Sequence, residues 1–122
     1  VPYSPQGKPG AVPRFEMRGK TFNNPVELAL DVIGGKWKMP ILWRLDARMY
    51  RFNELQRSLG DISAKMLTQQ LRELEADGLV DRRVYAEVPP RVEYTITERG
   101  RSTLPAIRAL RDWGTQFRDE TA

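Results

Sequence analysis

Five stretches of the chain repeat apolar residues every three or four positions, and one pair of short stretches repeats them every second position. In the first, Val26, Leu30 and Ile33 fall on one face, as an amphipathic helix requires. Asn24 is a suitable N-cap, and Pro25 fits the first helical position because an amide there has no partner anyway. Glu27 sits in the first turn, where the helix dipole favours an acid, and Gly34-Gly35 ends the run. A second helix is predicted over 36–47, with Trp37, Ile41 and Leu45 inward and Lys36, Lys38, Arg44 and Arg48 towards water. Pro40, so near its start, removes little hydrogen bonding and implies a slight bend. Residues 53–59 make two turns with Phe52, Leu55 and Leu59 inward, stopped by Gly60-Asp61.

The fourth stretch, 63–77, carries two stripes. Leu67, Leu71 and Leu74 lie on one side of a 3.6-residue helix, while Lys65, Thr68, Gln69 and Arg72 lie nearly opposite. Ser63 is the predicted N-cap and Gly78 the left-handed stop. The polar stripe is long-armed and free of acids; Glu73, Glu75 and Asp77 gather at the far end. Beyond Gly78 the period becomes two. Val80, Arg82, Val84 and Ala86 share one strand face, and Val92, Tyr94 and Ile96 share a face of the next strand. Val88-Pro89-Pro90-Arg91 forms a stiff loop between them. A long helix is then predicted from the Thr97 cap to Phe117, kinked at Pro105, with Leu104, Ile107, Leu110, Trp113 and Phe117 along one side. A domain whose core has already closed does not need so large an apolar stripe, so a second copy is expected to cover it.

Charge sharpens the picture. Residues 36–72 carry net +5 and the next nine residues net −4. The fourth helix is therefore basic at its N-terminal end and acidic at its C-terminal end, opposite to what its dipole favours. An anion docked at the N-terminal end would explain this. Across 122 residues the net charge is +4, which permits a polyanionic partner. Pro2, Pro5, Pro9 and Pro13 with Gly7 and Gly10 make the start an arm, basic through Lys8, Arg14, Arg18 and Lys20. It is expected to be flexible over 1–22, ahead of a domain at 23–118 and a tail at 119–122.

Neither Cys nor His occurs. That removes disulfides, thiol nucleophiles, thiolate or imidazole metal sites and His-based triads. Glu73 and Asp77 stand at i, i+4, but nothing nearby completes six oxygen ligands for a hard cation. No Gly-rich phosphate loop or activated nucleophile is present. A non-enzyme without cofactor or metal is expected. No apolar run reaches the ~18–20 residues of a membrane span, and the start lacks a signal-peptide pattern, so a cytoplasmic protein without membrane attachment is expected. Met39, Met49 and Met66 are expected in the core. Trp37, Trp43 and Trp113 are expected in core or interface packing, with an effector pocket for an unknown small molecule as the alternative.

Helix, helix, short helix, helix with an acid-free polar stripe, then hairpin is the order of a winged helix-turn-helix: mainly α (α+β), with a two-stranded wing. In that geometry the second helix of the turn motif enters the major groove of DNA. The residues 24–37 (Asn-Pro-Val-Glu-Leu-Ala-Leu-Asp-Val-Ile-Gly-Gly-Lys-Trp), Arg51 to Leu55, Ile62-Ser63 through Leu67, Leu71 to Val80 and Glu87 to Tyr94 resemble, in order, the HxlR family of bacterial winged-helix regulators. The resemblance covers residues 24 to 117. It implies a homodimer on a pseudo-palindromic DNA operator, with the first and last helices at the dimer interface, and regulation of transcription. Many members carry Cys just before Pro-Val-Glu, and a subgroup senses oxidants there; here that position is Asn24, and no thiolate can act.

On this basis the expected DNA contacts are Lys36, Arg51, Ser63, Lys65, Thr68, Gln69, Arg72 and Arg91. Gln69 and Thr68 would bond base edges, Lys65 or Arg72 guanine or phosphate, and Arg91 the flanking backbone or minor groove. The expected dimer contacts are Val26, Leu30, Leu104, Ile107, Leu110, Trp113 and Phe117. The alternative is a winged-helix protein-interaction module without specific DNA binding.

Overall fold

The computed structural model describes residues 13–122, which divide after Gly34 into two units, 13–34 and 35–122. In the first unit Phe15–Met17 (β1) and Lys20–Phe22 (β2) pair antiparallel, with the Phe15 and Phe22 rings stacked 5.5 Å apart. Arg18 and Gly19 make the turn with φ +58° and +71°, the sense of a type I′ hairpin turn, which matches strand twist. This corrects the flexible arm expected over 1–22: residues 15–22 are paired strands. The remainder of that arm up to residue 12 lies outside the described residues.

Helix α1 (Pro25–Ile33) starts as predicted, with Asn24 Oδ1 accepting from the Glu27 amide at 3.0 Å. Asp31 accepts from Lys20 Nζ at 2.6 Å and Arg18 Nε at 2.8 Å, tying α1 to the hairpin. Those two cations, Lys20 foremost, hold its carboxyl below the usual carboxylate range. The predicted apolar face divides: Ile33 is buried, while Val26 and Leu30 are 66% and 56% exposed.

The second unit runs α2 (Lys38–Ala47), β3 (Tyr50–Arg51), α3 (Phe52–Leu59), α4 (Ala64–Ala76), β4 (Val80–Tyr85), β5 (Arg91–Ile96), α5 (Glu98–Arg101) and α6 (Leu104–Thr121). The sheet is antiparallel in the order β3-β5-β4, with Tyr50 opposite Tyr94 and Val80 opposite Ile96. Two residues of β3 are too short to show a period in sequence. Ile41, Leu42, Leu55, Leu67, Leu71, Leu74 and Val80 form its most deeply buried core. Helix α4 ends in a Schellman motif: Gly78 takes φ +77°, its amide bonds Glu75 O, and the Leu79 amide bonds Leu74 O. The architecture is a winged helix-turn-helix.

Several expectations change here. Lys38 does not face water; it is 7% exposed and paired with Glu73 at 2.6 Å. Helix α2 begins at Lys38 rather than Lys36, with Trp37 as its N-cap residue. Met66 is exposed rather than in the core, its Sδ accepting from Gln70 Nε2. The long C-terminal helix is broken at Ser102-Thr103, so Pro105 takes the second position of α6. There its missing amide proton costs nothing, whereas in a continuous helix it would interrupt the ladder. Helix α6 also takes in most of the expected tail, to Thr121.

Thr97 caps α5 as predicted, accepting from the Gly100 amide at 2.9 Å, and donates to Gly78 O. Gly100 lies against the sheet so closely that an added Cβ would sit 2.2 Å from Leu79 O and 2.6 Å from Ile96 Cγ1. Gly100→Ala is expected to destabilise the fold by about 1–3 kcal/mol through overpacking, read as a lower urea midpoint at constant slope. An unchanged midpoint would mean that α5 can back away from β5. Among the described residues no helix is long and apolar enough to cross a membrane.

Candidate nucleic-acid interface

Helix α4 builds the site because its two sides meet different surroundings. Ser63 Oγ accepts from the Met66 amide at 3.0 Å and fixes the helix start; this is the cap that the sequence predicts. Leu67, Leu71 and Leu74 are buried, which anchors one side and turns the other outward. On that outer side Lys65, Gln69 and Arg72 are exposed and Thr68 is half-buried. Together with Ala64 and Glu73 they line one open groove of about 470 Å³.

The groove does not end at the helix. Thr68 and Arg72 also line a neighbouring cleft of about 370 Å³, whose other walls include Phe52, Leu71, Glu75, Arg82 and Tyr94. Arg82 stands opposite Tyr94 in the β4–β5 register and is exposed. Its strand alternation puts it on the same face as Val80, so it looks towards the helices. A third cleft of about 420 Å³ joins the start of α3 to the wing loop and is lined by Arg51, Asn53, Glu54, Pro90, Arg91 and Val92, with Phe52 shared. Arg51 keeps its side chain outward while its amide donates to Glu54 Oε1 at 2.9 Å. That bond, ahead of the Arg48 guanidinium, holds the Glu54 carboxyl below its ordinary range.

Of the eight predicted contacts, Lys65, Thr68, Gln69 and Arg72 are thus brought together, and Arg51 and Arg91 share the third cleft. Lys36 and Ser63 line none of these three clefts; Lys36 Nζ rests 4.8 Å over the Trp37 ring. Arg91 differs from expectation. Its guanidinium is held by Glu87 at 3.2 Å and Glu93 at 3.3 Å and stacks 4.1 Å from the Tyr85 ring centroid. Two carboxylates already compensate its charge, so it braces the wing from within. Arg82, which the sequence reading did not single out, faces the groove instead. The available signal was a cation at an inward position of a strand, where an apolar residue is the usual occupant.

The predicted dimer residues also separate. Leu104 and Ile107 are buried in the second unit's own core, which corrects their assignment to an interface. Leu110, Trp113 and Phe117 remain 52%, 62% and 52% exposed, and every residue from Arg108 onward is exposed. The tryptophans do not gather in one pocket: Trp43 lies beneath Arg108 and Arg111, and Trp113 stacks on Phe117 at 5.3 Å.

A model of HxlR-like helix-turn-helix proteins matches residues 32–122. The chain belongs to the HxlR family. Among its relatives, the uncharacterized HTH-type transcriptional regulator YdeP of Bacillus subtilis (strain 168) is 50% identical over 95 residues, spanning 78% of this chain and 74% of YdeP. YybR of the same organism, likewise an uncharacterized HTH-type transcriptional regulator, is 52% identical over 95 residues, spanning 78% and 76%. The solved structure of the redox regulator HypR in its reduced form superposes with a TM-score of 0.75 at 51% identity, covering 79% of this chain and 95% of that one. This HxlR protein is accordingly a DNA-binding transcriptional regulator. HypR is a redox regulator; these 122 residues hold no cysteine with which to repeat thiol chemistry.

Proposed function

We propose that the protein is a sequence-specific regulator that lays α4 in the major groove and sets the face of β4 beside it on the flanking backbone. The observation that carries this is the open groove on the outer side of α4, lined by Lys65, Thr68, Gln69 and Arg72 while the leucines opposite are sealed in the core. The major groove is about 12 Å wide and admits one helix. Gln69 and Thr68 have the hydrogen-bonding ends that base edges need, and Lys65 and Arg72 have the charge for guanine or phosphate. Arg82 and Arg51 take the flanking phosphates; Arg91 keeps the wing in shape. Ser63 serves as a cap, and Lys36 contributes charge from outside the groove.

Two copies act together. A stable helix whose apolar stripe continues for about 15 Å beyond its last buried residue, Ile107, needs a partner, and a second α6 supplies the same Leu110, Trp113 and Phe117. In the first unit, Val26 and Leu30 are exposed on α1 and are read as dimer contacts of their own. Two recognition helices then address half-sites about 34 Å apart, or a multiple of it, on a pseudo-palindromic operator in the cytoplasm.

Selection from randomised duplexes, followed by titration, tests this. Gln69→Ala is expected to relax preference at one base position, costing about 1–3 kcal/mol on the preferred site and nothing on random duplex. Equal losses on every sequence would show that Gln69 reads no base. Weak binding without preference by the unaltered protein would favour the protein-interaction module instead.

A further inference from the structure

Glu73 stands between two groups that the fold brings together from different parts of the chain. Its Oε1 lies 2.6 Å from Nζ of the buried Lys38 in α2, and its Oε2 accepts from Gln69 Nε2 at 3.2 Å. A buried ammonium requires a counter-charge, so Lys38 fixes Glu73 in place as a carboxylate. A carboxylate only accepts hydrogen bonds, whereas the glutamine amide has one donating end and one accepting end. Facing Glu73, Gln69 must turn its NH2 group inward along the helix. Its Oε1 and the second Nε2 proton are left for the groove.

We infer that Lys38 and Glu73 are positioning residues that lock the Gln69 amide in one rotational sense, and that this lock makes α4 select adenine over guanine. The inference rests on the reading above that Gln69 meets a base edge. In the major groove adenine offers a donor at N6 beside an acceptor at N7, the complement of the exposed carbonyl and second amide proton. Guanine offers acceptors at both O6 and N7. A locked carbonyl meets O6 acceptor to acceptor, while an amide free to turn over can donate both protons to guanine. The lock therefore works chiefly by rejecting the wrong base.

Glu73→Gln tests the lock. The substituted side chain keeps the size and can still accept from Lys38, but its own amide can turn over and no longer dictates the orientation of Gln69. Affinities are measured on duplexes that differ only at the base pair identified by Gln69→Ala. The unaltered protein is expected to favour adenine over guanine by about tenfold or more, and Glu73→Gln to reduce that ratio to about threefold or less. Affinity for random duplex should stay the same or rise, since a negative charge has left the surface. A merely structural role for Glu73 would weaken all duplexes alike and leave the ratio intact; that result overturns the proposal. If Gln69→Ala changes no base position, the reading of Gln69 itself fails, which is a separate outcome. Should Glu73→Gln not fold, the unaltered protein is titrated on the same duplex with purine lacking the N6 amino group in place of adenine. About a tenfold loss is expected, and equal affinity for the two bases overturns the proposal.

Discussion

Trp113→Glu is expected to give a folded monomer that binds its operator about 10²–10⁴-fold more weakly than the unaltered protein. The side chain is exposed within its own subunit and stacked on Phe117, which is exposed too. Removing it disturbs none of the buried core, so the thermal transition of the subunit should persist. In a dimer the same ring would lie centrally in the contact, where aromatic anchors carry most of the binding energy. A carboxylate there would be desolvated without a partner. Losing the partner removes the linkage between two half-sites, and with it the high effective concentration of the second recognition helix. Sedimentation at micromolar concentration reads the oligomeric state directly. A Trp113→Glu protein that stays dimeric, with affinity intact, would put the interface elsewhere on the molecule.

The second large effect is ionic. If Arg51, Arg72 and Arg82 each neutralise one phosphate per protomer, a dimer displaces about six counterions. Affinity should then fall about 10³-fold between ~50 and ~200 mM salt. Arg82→Ala removes one contact from each protomer and should lower the logarithmic salt slope by about 2. Arg91→Ala should leave the slope nearly unchanged, because Glu87 and Glu93 already compensate that charge. Fluorescence anisotropy over a salt series distinguishes these results. A slope that responds to Arg91 and ignores Arg82 would reverse the roles assigned to the two arginines.

The contrast between those arginines shows how far the sequence could be read. Arg91 follows two prolines at a hairpin tip, and position alone recommends it as a contact. Its neutralisation depends on Glu87, Glu93 and the Tyr85 ring being folded around it. Arg82 looks like one more cation in a charged strand until the register sets it opposite Tyr94, facing α4. Lys38 is the same case in reverse. Among the basic residues of its segment it reads as solvated, and only the packing of α2 places it beside Glu73. The hairpin at 15–22 escaped for a different reason, since three-residue strands carry too little periodicity to stand out beside a proline-rich start.

What local chemistry could specify, the sequence alone determined: the Asn24, Ser63 and Thr97 caps, the Gly78 stop, the leucine stripe of α4 with Lys65, Thr68, Gln69 and Arg72 opposite it, and the order of elements that makes a winged helix-turn-helix. These depend on neighbours within a turn or two of the same chain segment. The tertiary structure alone decided which cations are free and which are paired, and where the α6 stripe leaves the core: Leu104 and Ile107 inside, Leu110, Trp113 and Phe117 outside. Burial and charge pairing are properties of surfaces that meet from distant parts of the chain, and periodicity along one helix carries no information about what the other surface holds.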